Sequence, residues 1–289
     1  MSREFKRDRG FFVFAQNGKT DYLRMAYVLA LSLKATQKEH GYLTVAVTPG
    51  TEVPDHYREV FDEVMEIIWL DEAANSEWKL ENEWKAFHMT PYRETIKLDA
   101  DMLFTSDISH WWDILARQDV WACTNVETYR GELITSDVFR KVFVSNDLPN
   151  VYTAFMYFKT NDAAQELFEM AEIIYHNWQK FFYEYLDETR PTFVSTDVVF
   201  ALAVKLLGRA DEFIFDDFPA PRFVHMKTQL QGWPSEASEN WLSHIPLIVT
   251  PDLEVRIGRF KQIMPVHYHL KEAITEDLVS RYEDYFRLS

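Results

Sequence analysis

The residues with the clearest chemistry lie in Ile96-Lys97-Leu98-Asp99-Ala100-Asp101-Met102-Leu103-Phe104. A short apolar run ends in two carboxylates separated by one small residue, and a second apolar run follows. Two hard oxygen donors at a strand end converge on one hard cation, Mg²⁺ or Mn²⁺. Such a cation can hold a diphosphate even in a strongly acidic protein. Acidic triplets are common on solvated loops, but a solvated loop would not be apolar on both sides.

His225, in Phe223-Val224-His225-Met226-Lys227, follows a short apolar strand and precedes a lysine. His267 and His269, in Pro265-Val266-His267-Tyr268-His269-Leu270-Lys271, also follow an apolar strand and precede a lysine. Any one of these rings would equally suit a hydrogen-bonded core or surface histidine. Asp197 opens the helical run Thr196–Leu207, where the helix dipole alone would favour an acid. Lys85 stands upstream of the Asp pair, where a helix-surface lysine is the plain reading.

These groups need elements to position them. Phe11-Phe12-Val13-Phe14-Ala15 reads as a buried strand running into the turn Gln16–Asp21. Asp21 is a suitable N-cap for a helix from Tyr22 to about Lys38, where Leu23, Ala26, Tyr27, Ala30, Leu31 and Leu33 recur at helical spacing. Strands are expected at Leu43–Val47, Val64–Leu70 and Thr95–Leu98, and helices at Asp55–Phe61 and Asn82–Met89. Strand–helix alternation of this kind predicts an α/β fold with a mostly parallel sheet covered on both faces. Ligands of such sheets bind at the carboxyl ends of the strands, where both the Gln16-Asn17 turn and the Asp pair fall.

The second half predicts a strand at Tyr152–Phe158 and one or two aromatic-rich helices over Ala163–Leu186. It also predicts the helix Thr196–Leu207 and short strands at Phe213–Phe215 and Phe223–His225. A small sheet is expected from Leu247–Thr250, Glu254–Ile257 and Gln262–His267, then a closing amphipathic helix, Glu276–Phe286. Most aromatics, including Trp111, Trp112 and Trp178, read as core. Trp233 and Trp241 lie in polar stretches and read as ligand contacts.

Composition sets outer limits. The chain has 289 residues, 47% hydrophobic, with formal net charge -16. That length suits one large domain with a small appendage. Acidity without a basic run disfavours nucleic acid and anionic membrane as partners. Cys123 is the only cysteine, which fits a buried thiol in a reducing compartment. The apolar run Phe11–Ala15 is too short for a signal peptide or a membrane span, so the expectation is a cytoplasmic protein without stable membrane insertion.

Tyr22-Leu23-Arg24-Met25-Ala26-Tyr27-Val28-Leu29-Ala30-Leu31-Ser32-Leu33 stands where one family has Tyr-x-x-Gly-Ala-x-Val-Leu-x-x-Ser-Leu. With the Asp pair, the sequence resembles glycosyltransferase family 8, the glycogenin and bacterial galactosyltransferase group, in order over roughly the first 235 residues. The resemblance implies a GT-A fold, a Rossmann-like mostly parallel central sheet flanked by helices. It implies a catalytic domain over 1–235 and a C-terminal extension over 236–289 packed on it. It implies a nucleotide base contacted by Ala15, Asn17 and Tyr22, and a donor diphosphate held through Lys85, Asp99, Ala100, Asp101 and Lys227. It further implies a metal ion, Mn²⁺ or Mg²⁺, on Asp99, Asp101 and a histidine, with His225 favoured and His267 as the alternative, and Asp101, Asp197 and Lys85 as catalytic residues. His225 and Trp233 sit at the ends of the family's His-x-x-Gly-x-x-Lys-Pro-Trp, but Thr228, Gln231 and Gly232 replace its Gly, Lys and Pro. Met25 replaces a Gly at the nucleotide pocket, Val198 a Gln beside Asp197, and Tyr152-Thr153-Ala154 the family's Asn-x-Gly.

The activity so implied is retaining transfer of a hexose from a nucleotide sugar, UDP-linked, to an acceptor hydroxyl, and a homodimer is compatible with it. Two rivals stand beside it. Paired aspartates also serve metal-dependent phosphohydrolases and nucleotidyltransferases, and the departures at Met25, Tyr152–Ala154 and Val198 would suit a GT-A domain that binds without turnover.

Overall fold

The structure, a computed structural model, describes residues 3–134, 140–214, 220–226 and 240–288. Its main sheet has six strands in the order β3-β2-β1-β4-β8-β6. These are β1 (Arg7–Phe14), β2 (Leu43–Val47), β3 (Glu63–Glu66), β4 (Tyr92–Leu98), β6 (Val120–Cys123) and β8 (Tyr152–Lys159). The first four run parallel, while β8 is antiparallel to both β4 and β6.

The run Phe11–Ala15 is apolar without alternation because both faces of β1 are covered. Phe11, Val13 and Ala15 enter a core with helix α1 (Tyr22–Thr36) and the last helix, α10 (Glu276–Leu288). Phe12 and Phe14 enter a second core with α6 (Asp162–His176) and α8 (Thr196–Leu207). Asp21 caps α1, its carboxylate accepting from Arg24 N at 3.0 Å. The C-terminal helix is tied to α1 by Tyr27 Oη donating to Glu283 at 2.8 Å and by Arg24 with Glu276 at 2.7 Å.

A second sheet of four short strands, β5-β13-β9-β7, carries much of the chemistry. It contains β5 (Met102–Leu103), β7 (Val126–Glu127), β9 (Phe223–His225) and β13 (Val266–His267). The expected strand Gln262–His267 therefore leaves the C-terminal sheet. That sheet comprises only β10 (Leu247–Val249), β11 (Val255–Ile257) and β12 (Phe260–Lys261). The last two residues of the expected strand, Val266 and His267, instead pair antiparallel with β5 and parallel with β9, a long-range pairing that local pattern does not encode.

Three further differences concern single elements. Phe213 ends a short helix, Ala210–Phe213, instead of opening a strand. Its backbone is drawn into helical turns by Phe213 N to Arg209 O and Ile214 N to Ala210 O. Asn82–Met89 divides into a 3₁₀ turn, Glu83–Lys85, and one α-turn, Ala86–Met89. β3 stops at Glu66, four residues short of Leu70. The aromatic stretch forms two helices, α6 and α7 (Trp178–Tyr185), interrupted at Asn177, which is one of the two expected arrangements. Cys123 is buried, with Sγ 3.1 Å from Asn125 O. No helix among the described residues is long and apolar enough to cross a membrane.

Candidate metal and nucleotide site

Asp99, Ala100 and Asp101 form the turn between β4 and β5, at the carboxyl end of the parallel strands. Asp99 N donates to Ala154 O of β8 at 3.1 Å, and Tyr268 N donates to Asp101 O at 3.1 Å. The turn is thereby held from both sides. His267 lies opposite Met102 in the β13–β5 pairing. Its Nε2 is 2.9 Å from Asp101 Oδ1 and 3.7 Å from Asp99 Oδ2. Asp99, Asp101 and His267 thus offer three ligand atoms all within 4.8 Å of one another.

The geometry favours the alternative third ligand. His225 is the Cα partner of His267 on β9, and it groups with His267 and His269 rather than with the two carboxylates. In the parallel pairing the two rings share a face, and His267 stands on the strand next to the Asp turn. Two carboxylate oxygens with one imidazole nitrogen suit Mn²⁺ or Mg²⁺, so the residues present fit the divalent ion that the resemblance implies. The side chain of Asp99 is 34% exposed and that of His267 5%, so the group opens to solvent through Asp99.

Behind Asp99 lies a buried ionic chain that sequence reasoning missed. Lys97 occupies a core position of β4, paired with Phe12 and Met156. Its ammonium contacts Glu83 of the 3₁₀ turn, Asp99 Oδ1 at 3.1 Å and Thr153 O at 3.3 Å. Burial alone would lower its pKa, but Glu83 and Asp99 outweigh burial and raise it, so Lys97 stays charged. Burial pushes the Glu83 carboxyl up against the opposing pull of Lys97. The available signal was a lysine inside an apolar strand run, one residue before the first aspartate.

Asp197 belongs to the same chain of contacts. It pairs with Arg140 at 2.6 Å and accepts from Thr153 N at 2.9 Å and Thr153 Oγ1 at 2.7 Å. Burial opposes its ionisation, but Arg140 and the Thr153 donors prevail and hold it below the usual carboxylate value. Its contacts therefore orient Thr153, whose carbonyl in turn receives Lys97.

Lys85 is also committed internally. Its side chain is buried, its Nζ donating to Leu70 O and to Asn82 Oδ1 at 2.7 Å, with Glu72 at 3.9 Å. It belongs to a knot at the ends of β1, β2 and β3. There Gln16 Nε2 donates to Thr48 Oγ1 and to both Asp71 oxygens, each at 3.0 Å. Asn82 Nδ2 donates to Gln16 Oε1 at 2.8 Å and Asp71 Oδ1 at 2.6 Å.

Ala15 is buried, with its N–H donating to Ala46 O at 2.8 Å. Asn17 is exposed and receives Leu23 N at 2.8 Å, which positions the turn before α1. Burial, with the nearby Asp101 and Asp99 carboxylates, pushes the Tyr22 phenol up to about 12. Tyr22 is therefore a neutral donor beside the Asp pair. Met25 is buried in the α1 core. Trp241 is not a surface platform: it is buried, its indole donating to Tyr268 O at 3.1 Å. Lys227 and Trp233 lie outside the described residues.

Two solved structures resemble this arrangement over nearly the whole chain. The galactosyltransferase LgtC, in complex with donor and acceptor sugar analogues, matches with TM-score 0.55 at 11% identity, covering 95% of each chain. The chain has the GT-A fold. Mouse xyloside xylosyltransferase 1, in its apo form, matches with TM-score 0.52 at 11% identity, covering 93% of this chain and 100% of that one. No protein-family sequence model matches the chain, and no curated protein matches it in sequence. At these identities the likeness is one of GT-A architecture, and its chemistry must come from this chain's own residues.

Proposed function

We propose that the protein transfers a hexose from a nucleotide sugar, UDP-linked, to an acceptor hydroxyl, with a divalent cation and with retention of anomeric configuration. The observation that carries this reading is the convergence of Asp99, Asp101 and His267 at the carboxyl end of β4 in a GT-A fold. Asp99, Asp101 and His267 would hold the divalent cation, which would supply charge neutralisation for a leaving diphosphate. Mn²⁺ suits the mixed oxygen and nitrogen donors better than Mg²⁺, which prefers oxygen alone.

The chain's own residues have separable tasks in this reading. Lys97 fixes one oxygen of Asp99, leaving the other toward His267. Tyr22 stays protonated and offers a hydroxyl donor beside the carboxylates. The Asn17 turn and Ala15 line the strand end where a nucleotide base would lie. The bond between the anomeric carbon and the diphosphate oxygen breaks, a bond to the acceptor oxygen forms on the same face, and the acceptor proton passes to the departing diphosphate. Asp197 and Lys85, each held by internal partners, support the site from outside the reacting atoms.

A binding-only reading has one specific observation in its favour. Asp197, which the family resemblance sets against the transferred sugar, is committed to Arg140 and Thr153. One experiment separates the two. Purified protein is incubated with a panel of nucleotide sugars, with Mn²⁺ or with EDTA, and released nucleoside diphosphate is measured. Release from one donor with Mn²⁺, lost with EDTA and in Asp101→Ala, supports transfer. Donor binding without release from any sugar, with every acceptor class offered, supports the binding-only domain.

A further inference from the structure

The carboxylate group uses only one of three histidines gathered at this end of the second sheet. His225 and His267 are direct partners on neighbouring parallel strands. Two residues beyond His267, His269 adopts a left-handed backbone with φ 59°, a conformation in which Asn, Asp and His are over-represented among non-glycine residues. Its neighbour Tyr268 is fixed on both sides, by its N–H to Asp101 O at 3.1 Å and by Trp241 Nε1 to its carbonyl at 3.1 Å. The chain therefore doubles back after Tyr268, and the result is a third imidazole delivered to the other two. His269 Nε2 is 3.1 Å from His225 Nδ1, and the His267 and His269 ring centroids are 3.7 Å apart. All three offer ligand atoms within 4.8 Å of one another, and His225 and His267 are buried.

We propose that His225, His267 and His269 form a second cation site, selective for a borderline transition-metal ion of the Zn²⁺, Co²⁺ or Ni²⁺ class. Three nitrogen donors suit such ions, whose affinity for imidazole exceeds that of Mn²⁺ and Mg²⁺. Tetrahedral metal–nitrogen bonds of about 2.0–2.1 Å set neighbouring nitrogens about 3.4 Å apart, close to the spacing of His269 Nε2 and His225 Nδ1. The site shares His267 with Asp99 and Asp101, and His269 Nδ1 lies 3.6 Å from Asp101 Oδ2. The two donor sets overlap and compete for one ring. Hard cations draw His267 toward the carboxylates, and borderline cations draw it toward the imidazoles. The competition rests on the metal role given to Asp99, Asp101 and His267 under the proposed function; the three-histidine site itself does not.

The test uses the metal-free full chain. Co²⁺ is titrated and followed by its visible absorption, and Mn²⁺ is titrated and followed by electron paramagnetic resonance. Variants are His225→Ala, His269→Asn, His267→Ala and Asp99→Asn, with thermal unfolding in EDTA to check that each folds. Asn keeps the left-handed backbone of position 269 accessible while removing the ring. The expected result is a loss of Co²⁺ affinity of about 10-fold or more in His225→Ala and His269→Asn, with Mn²⁺ affinity within roughly threefold of the parent. His267→Ala should weaken both ions, and Asp99→Asn should weaken Mn²⁺ alone. Added Co²⁺ should displace Mn²⁺ from the parent. Unchanged Co²⁺ affinity in both His225→Ala and His269→Asn would overturn the proposal and leave the pair as a hydrogen-bonded core contact. Mn²⁺ affinity insensitive to Asp99→Asn would instead remove the carboxylate reading while leaving the imidazole site standing.

Discussion

Two polar clusters sit at the carboxyl ends of the same sheet, yet they are built on opposite plans. In the knot of Gln16, Thr48, Asp71 and Asn82, each Asp71 oxygen meets an amide or hydroxyl donor of the protein. Burial works against ionisation there, but those donors hold Asp71 below its usual carboxylate value. In the turn Asp99–Asp101 one Asp99 oxygen meets Lys97, and the other three carboxylate oxygens face His267 and His269, rings that accept metal ions as readily as they share protons. The first cluster completes itself with protein donors and stitches three strand ends together. The second gathers ligands. Proximity of polar groups to a strand end is therefore not enough to mark a site; the kind of partner each carboxylate has been given separates the two.

The ionic chain behind Asp99 gives the largest expected effect. Lys97→Met would leave Glu83 buried without its cation, at a cost of roughly 3–5 kcal/mol in thermal or chemical unfolding. Metal affinity should also fall about 10-fold through loss of Asp99 orientation. A stability loss with unchanged Mn²⁺ affinity would confine Lys97 to the core. Next is Asp101→Asn, expected to weaken Mn²⁺ by about 100-fold or more, since a direct ligand should cost at least what loss of an outer-shell partner does. Its unfolding temperature in EDTA should stay near that of the parent, since a metal ligand removed from a cluster of acids relieves repulsion. By contrast Gln16→Ala, in the self-completed knot, should cost about 1–3 kcal/mol and leave Mn²⁺ binding untouched. A change in metal affinity there would erase the distinction between the clusters.

The smallest effect is one of pH. Asp71 and Asp197 both have folded-state pKa values below the usual carboxylate value. The native state then binds fewer protons than the unfolded chain. The stability they contribute is complete above the unfolded value of about 3.9 and is lost as pH falls through the lower folded value. Unfolding temperatures followed from pH 7 downward should therefore fall below about pH 4, and less steeply in Asp71→Asn or Asp197→Asn. Parallel curves for parent and variants would show that neither carboxylate is held as described.

Much of this was legible in the residues. The α1 pattern from Tyr22 to Leu33, its Asp21 cap, the helix Thr196–Leu207 and the delivery of Asp99 and Asp101 by a strand all follow from period, capping and apolar flanks. What local sequence could not carry was pairing at long range. Val266-His267 has the same look as the other short C-terminal strands, but it inserts between β5 and β9, and that choice decides which histidine meets the aspartates. Phe213 and Trp241 misled for a related reason. A short apolar segment is ambiguous between helix and strand, and a tryptophan in a polar stretch can still be drawn inward when its indole finds a buried carbonyl. Lys97 was overlooked because a lysine in a strand reads as an edge residue until Glu83 is seen to cover it.

The central claim is that Asp99, Asp101 and His267 hold a divalent cation through which a nucleoside diphosphate binds. It is tested most directly by calorimetric titration of UDP into the parent and Asp101→Asn, each with Mn²⁺ and with EDTA. The account predicts saturable heat for the parent with Mn²⁺ only, and none for Asp101→Asn in either buffer. Equal UDP binding in EDTA, or undiminished binding by Asp101→Asn, would contradict it.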